Sequence, residues 1–229
     1  MCVNKLHLFL LLCICSSSFL PAQTPLFEER DGIVVVEAEH FVGQSIDNVR
    51  KWYQLDETVH EGPKPDIDPS HASSASGKAY LEILPDTRTN HSEKLIPGEN
   101  FTNSPGKLAQ LHYLVYFHHP GKYYVWVRAY STGSEDNGIH VGLDGEWPES
   151  GQRMQWCQGK NQWTWESKQR TAEKHCGVPE QIYLDIPRVG WHEITFSMRE
   201  DGFEFDKWIL SKEYKLPEGA GPAETLRKF

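Results

Sequence analysis

Apolar and polar positions alternate along most of this chain, in short runs rich in β-branched and aromatic residues and bounded by glycine, proline and small polar clusters. A period of two is the signature of half-buried strands. It predicts strands from Ile33 to Ala38, Ala79 to Leu84, Leu111 to Phe117, Tyr123 to Tyr130, Ile139 to Leu143, Ile182 to Ile186, His192 to Met198 and Phe205 to Leu210. No long helical stripe competes with them and no internal repeat is present. The pattern predicts an all-β fold, an antiparallel β-sandwich (jelly roll) with long loops. The Pro120-Gly121 turn between two aromatic-rich strands predicts a hairpin from Leu111 to Tyr130.

Two stretches fall outside the pattern. A polar segment with Pro63, Pro65 and Pro69 separates the first two predicted strands and reads as a functional or mobile loop. A second irregular region, from Glu146 to Pro179, carries Trp147, Trp156, Trp163 and Trp165. Residues beyond Leu216, rich in Pro, Gly and Ala, read as the end of the fold or a linker remnant. The chain opens differently again: Lys5 precedes an apolar run from Leu8 to Cys15, followed by small and polar residues up to Ala22. That order predicts a signal peptide over 1–22, since the apolar run is too short to span a bilayer. The expected products are a secreted domain over 23–216 and a tail over 217–229, with no membrane anchor.

Composition narrows the partners. With 32 acidic and 23 basic residues the formal net charge is -9, which argues against nucleic acid and anionic membrane surfaces. Of five cysteines, only Cys157 and Cys176 lie beyond the expected signal. In an oxidising compartment they predict one disulfide, whereas zinc would need more soft ligands than this spacing supplies.

Glu37-Ala38-Glu39 holds two carboxylates two residues apart, so both side chains are expected to leave a strand on the same face, and like charges held so close call for a cation. Asp206 stands at the start of the last predicted strand, where a sandwich can bring the two ends of the chain together. Three hard oxygen ligands suit calcium. These motifs, with the phrases Gly133 to Gly145 and Arg199 to Asp206, resemble carbohydrate-binding modules of families 6 and 35, of the kind attached to bacterial polysaccharide-degrading enzymes. The resemblance implies a galactose-binding-like jelly roll, a structural Ca2+ held by Glu37, Glu39 and Asp206, and a polysaccharide or glycan as partner.

Sugar recognition needs a flat apolar surface for the C–H face of a pyranose and directional groups for its hydroxyls. Trp156, Trp163 and Trp165 are the expected platform. Ser134, Glu135, Asp136 and Asn137 are the expected hydroxyl-binding loop, and Arg199 would reach a carboxylate or sulfate. The bland reading of each is core packing or ordinary turn chemistry. No catalytic residues are assigned: neighbouring acids such as Glu135-Asp136 and Glu200-Asp201 do not by themselves give the opposed pair that glycoside hydrolysis uses, and neither HExxH nor GxSxG occurs. A non-catalytic glycan binder is the expectation. The alternatives are a lyase or hydrolase assembled from distant loops, and a secreted protein–protein adhesion domain.

Overall fold

A computed structural model describes residues 25–228. The expected signal at 1–22, with Cys2, Cys13 and Cys15, lies outside them. In chain order the strands are β1 (Phe27–Glu28), β2 (Ile33–Glu37), β3 (Gly43–Ser45), β4 (Lys51–Asp56), β5 (Ala79–Leu84), β6 (Gln110–Phe117), β7 (Gly121–Tyr130), β8 (Gly138–Leu143), β9 (Met154–Gln155), β10 (Trp163–Glu166), β11 (Lys168–Gln169), β12 (Val178–Pro179), β13 (Tyr183–Ile186), β14 (Gly190–Met198) and β15 (Glu204–Ser211). One sheet runs β1-β6-β14-β8-β9-β11-β12, with β3 also on β6. The other runs β10-β7-β15-β5-β4, with β13 on β7 and β2 on β15. All pairings are antiparallel except the short β1–β6 ladder. The fold is the expected all-β sandwich, and each of the predicted strands is present within two residues of its expected bounds.

Alternation builds the core directly. On β6, Leu111, Tyr113, Val115 and Phe117 point inward while the residues between them stay partly exposed. They meet Val125, Val127 and Ala129 of β7, Phe196 of β14, and Phe205, Trp208 and Leu210 of β15 in one apolar cluster. Tyr113 keeps its hydroxyl satisfied there by donating to the Ala38 carbonyl, 2.6 Å away, as a buried polar group requires.

The predicted hairpin is corrected. β6 pairs with β14 and β7 with β15, so residues 118–120 form an arch from one sheet to the other. Glu29 pins the arch by accepting the backbone N–H groups of His118 and His119 at 3.0 Å each, while Phe117 and Tyr123 meet edge to face across the core. Alternation is the same in a hairpin and in an arch, so the pattern alone does not separate them.

Both irregular stretches contain further strands: β3 and β4 in the first, β9 to β12 in the second. The expected tail beyond Leu216 is stitched into the sandwich. Thr225 exchanges backbone hydrogen bonds with Glu28 and Val35, and Glu224 accepts from the Glu37 N–H. The Cys157–Cys176 disulfide is formed, with Cα atoms 5.3 Å apart.

Candidate functional site

The loops after β5, β7 and β11, with the β8–β9 connection, converge on the end of β14 and enclose a cavity of about 600 Å³. Arg88, Arg153, Arg170 and Arg199 line it together with Glu135, Glu149 and Glu200, and Phe101, Leu95 and Ala172 supply an apolar wall. Three arginines are paired: Arg88 with Glu135, Arg153 with Glu149, and Arg199 with Glu200. Arg170 is the exception. Its side chain makes no hydrogen bond or ion pair among the described residues, and burial together with the nearby Arg199 charge pushes its pKa down. The buried Nε of Arg199 is also without a partner. Gly138 permits this packing, because a Cβ there would stand 2.7 Å from Arg199 Nη1.

Of the residues singled out in the sequence, Ser134, Glu135 and Arg199 line this cavity. Asp136 and Asn137 lie buried behind it and are corrected to loop-building roles. Asp136 accepts hydrogen bonds from Ser131, Thr132 and Gly133, and Asn137 accepts one from Gln155. Trp156 is corrected to core: it is 1% exposed and meets Phe203 edge to face at 5.2 Å, so no sugar ring can reach its faces.

Trp163 and Trp165 do share one face of β10, as their spacing predicted, but neither lines the arginine cavity. Trp163 packs on Tyr80 and Tyr130 and donates to Ser74 Oγ. Trp165 donates to the Gly219 carbonyl and lines a separate cleft of about 410 Å³ with Trp126 and Tyr214. Arg88, Arg153, Arg170, His91 and His175 were not anticipated as cavity residues. Arg153, Arg170 and His175 are scattered along one segment, and Arg88 and His91 lie in a distant one, so no local pattern marked them.

The acidic motifs also come together. β2 ends at Glu37, Ala38 turns into the core, and Glu39 follows in a turn. Glu37 Oε1 accepts from Lys207 Nζ at 2.7 Å and from Ser76 Oγ at 2.9 Å. Asp206 pairs with Arg128 and accepts the Ser76 N–H at 2.7 Å. Glu37 Oε2 and Glu39 Oε2 remain buried without partners. Burial, reinforced by the charges of Glu37 and Asp206, pushes the Glu39 carboxyl up to about 7. Among the described residues no three side chains already stand in closed metal geometry. Three carboxylates nevertheless face two cations, and the two orphan oxygens fit the hard-oxygen chemistry of a calcium ion.

A protein of Formosa agariphila with no described function is 56% identical over 206 residues, covering 90% of this chain and 50% of that protein. The chain thus spans about half the length of the curated relative it matches. Similar solved structures include a GH26-CBM35 β-(1,4)-mannanase of Podospora anserina at 14% identity, covering 82% of this chain and 29% of that one, with a TM-score of 0.41. A family 35 carbohydrate-binding module of Clostridium thermocellum is 13% identical, covering 78% of this chain and 96% of that one, with a TM-score of 0.39. Residues 26–224 match the glycosyl hydrolase family 115 C-terminal domain, and the chain belongs to that family.

Proposed function

We propose that this domain binds an acidic glycan, a polysaccharide residue bearing a carboxylate or sulfate, in the arginine-lined cavity and does not cleave it. The observation that carries the reading is Arg170, a cation in the cavity wall that makes no hydrogen bond or ion pair among the described residues and lies close to a second arginine, the nearby Glu200 being already paired with Arg199. An anionic ligand would supply the missing partner through charge-assisted hydrogen bonds, for which the planar guanidinium is well suited. Phe101, Leu95 and Ala172 offer apolar surface for the ring, while the Ser134 hydroxyl is engaged by Glu135 and His91. Against catalysis stands the engagement of Glu135, Glu149 and Glu200 by arginines, whereas glycoside hydrolysis uses an acid and a second carboxyl that both act on the substrate.

Two further parts belong to this reading. Glu37, Glu39 and Asp206 would hold a structural Ca2+, which supplies the positive charge that the cluster lacks. Export through the 1–22 segment would provide the oxidising surroundings that the disulfide suits. The direct test is retention on affinity gels loaded with uronate-containing, sulfated and neutral polysaccharides, with product release assayed on the same panel. Retention on acidic gels without new reducing ends or unsaturated products is expected. Retention on neutral gels alone, or turnover, would sink the proposal.

A further inference from the structure

The last strand carries an irregularity beside the acidic cluster. β15 pairs with β7 through Phe205↔Ala129 and then Lys207↔Arg128, so Asp206 is an extra residue, a β-bulge. In unbroken alternation Asp206 and Lys207 would leave β15 on opposite faces, and Lys207 would face the core between the sheets. The bulge changes this. Phe205 and Trp208 both remain in the core, Asp206 reaches Arg128, and Lys207 turns outward beside its register partner Glu37.

The Lys207 side chain is 4% exposed, yet its ammonium finds only Glu37 Oε1 at 2.7 Å and, more distantly, the Pro222 carbonyl at 3.4 Å. Burying a lysine is costly without a paired charge. The other charges here are Glu39, Asp206 with Arg128, and the His40–Glu224 pair at 2.9 Å.

We propose that Lys207 is a tethered counter-cation that joins β2 to β15 when no metal ion is bound, as Arg128 joins β7 to β15, so that ion binding adds to the stability of a fold already closed. The inference builds on the calcium reading given above. Lys207 occupies one oxygen of Glu37 and leaves Glu37 Oε2 and Glu39 Oε2 free, so the tethered ammonium and a bound ion need not exclude each other. Calcium then becomes a supplement to the protein's own cations.

The experiment is thermal melting of the wild type, Lys207→Met and Lys207→Arg, each in chelator and in millimolar calcium. Breaking one side of a buried pair should lower the melting temperature of Lys207→Met in chelator by roughly 6 °C or more. Calcium should recover more of that loss than it adds to the wild type, and Lys207→Arg should restore melting in chelator. No Lys207→Met deficit in chelator would overturn the proposal, as would a deficit of equal size in both media where calcium does raise the wild-type melting temperature. If Lys207→Met does not fold, the Glu37→Met/Lys207→Met double variant removes both charges. That variant should fold in chelator and lose its calcium response; continued failure to fold would count against a charge-pairing role. If calcium changes nothing in any variant while Lys207→Arg still rescues, the tethered cation stands and the calcium reading falls.

Discussion

Replacing Arg170 by methionine should weaken acidic-glycan binding while leaving the fold as stable as before. The side chain follows β11, where the Arg170 N–H donates to the Arg153 carbonyl at 2.8 Å and the Arg170 carbonyl accepts from Arg153 Nε at 3.2 Å. Those backbone bonds persist in the variant. Methionine keeps most of the aliphatic stem and removes only the guanidinium. Because that guanidinium makes no ion pair among the described residues, and the repulsion from Arg199 is set against attraction from Glu200, its loss breaks no direct contact. The melting temperature should therefore stay within about 2 °C of the wild type or rise, as expected for a substitution that breaks no buried contact. Binding should respond differently. A hydrogen bond to a charged group contributes about 1.5–3 kcal/mol, which corresponds to roughly a 10- to 150-fold loss of affinity. Calorimetric titration with a uronate-containing and a sulfated oligosaccharide at two salt concentrations would measure it, and the variant should show the shallower salt dependence. Unchanged affinity in a folded Arg170→Met protein would refute the assignment of the cavity. An equal loss for a neutral sugar would refute its charge-based reasoning.

Three other outcomes follow from the packing. Trp156→Ala should cost about 3–5 kcal/mol in denaturant unfolding, as large core truncations do, whereas Trp165→Ala should be much milder and affect only ligands that use the Trp126–Tyr214 cleft; similar losses for both would contradict the burial described here. Asp86, pushed up to about 7 by burial and then by the Asp201 charge, has a folded pKa above its unfolded value, so its contribution is fully present below about pH 4 and lost as pH rises through 7. Asp86→Asn should therefore gain on the wild type by on the order of 4 kcal/mol between those limits, and a pH-independent difference in unfolding free energy would exclude this. Cys157 and Cys176 should resist alkylation in the native oxidised protein, and replacing both with serine should cost about 3 kcal/mol for a bridge of this span; two alkylated thiols would rule the bridge out.

The sandwich was legible because its long strands obey one rule: residues such as Leu111, Tyr113, Val115 and Phe117 must alternate if one face is to be dry. The pairing partners were not legible, since the same alternation serves a hairpin or an arch. Strands of two residues, such as β9 and β11, are too short to show a period. Tryptophan was a poor guide to the ligand surface for a related reason. Trp156 and Trp163 are separated in the chain by one loop, yet one is sealed in the core and the other rests on an outer face; residue type favours burial and stacking alike.

The sequence alone determined the strands, the inward faces and the pairing of the two remaining cysteines. Each follows from local periodicity or from the few partners available, whereas the grouping of Glu37, Glu39 and Asp206 was expected from a family resemblance. Only the tertiary structure decided that an extra residue at Asp206 turns Lys207 out of the core and against Glu37. It alone also gathered Arg88, Arg153, Arg170 and Arg199 from distant segments into one cavity wall. Both depend on register and loop closure between remote elements, and the energies that fix them lie in contacts a linear pattern does not contain.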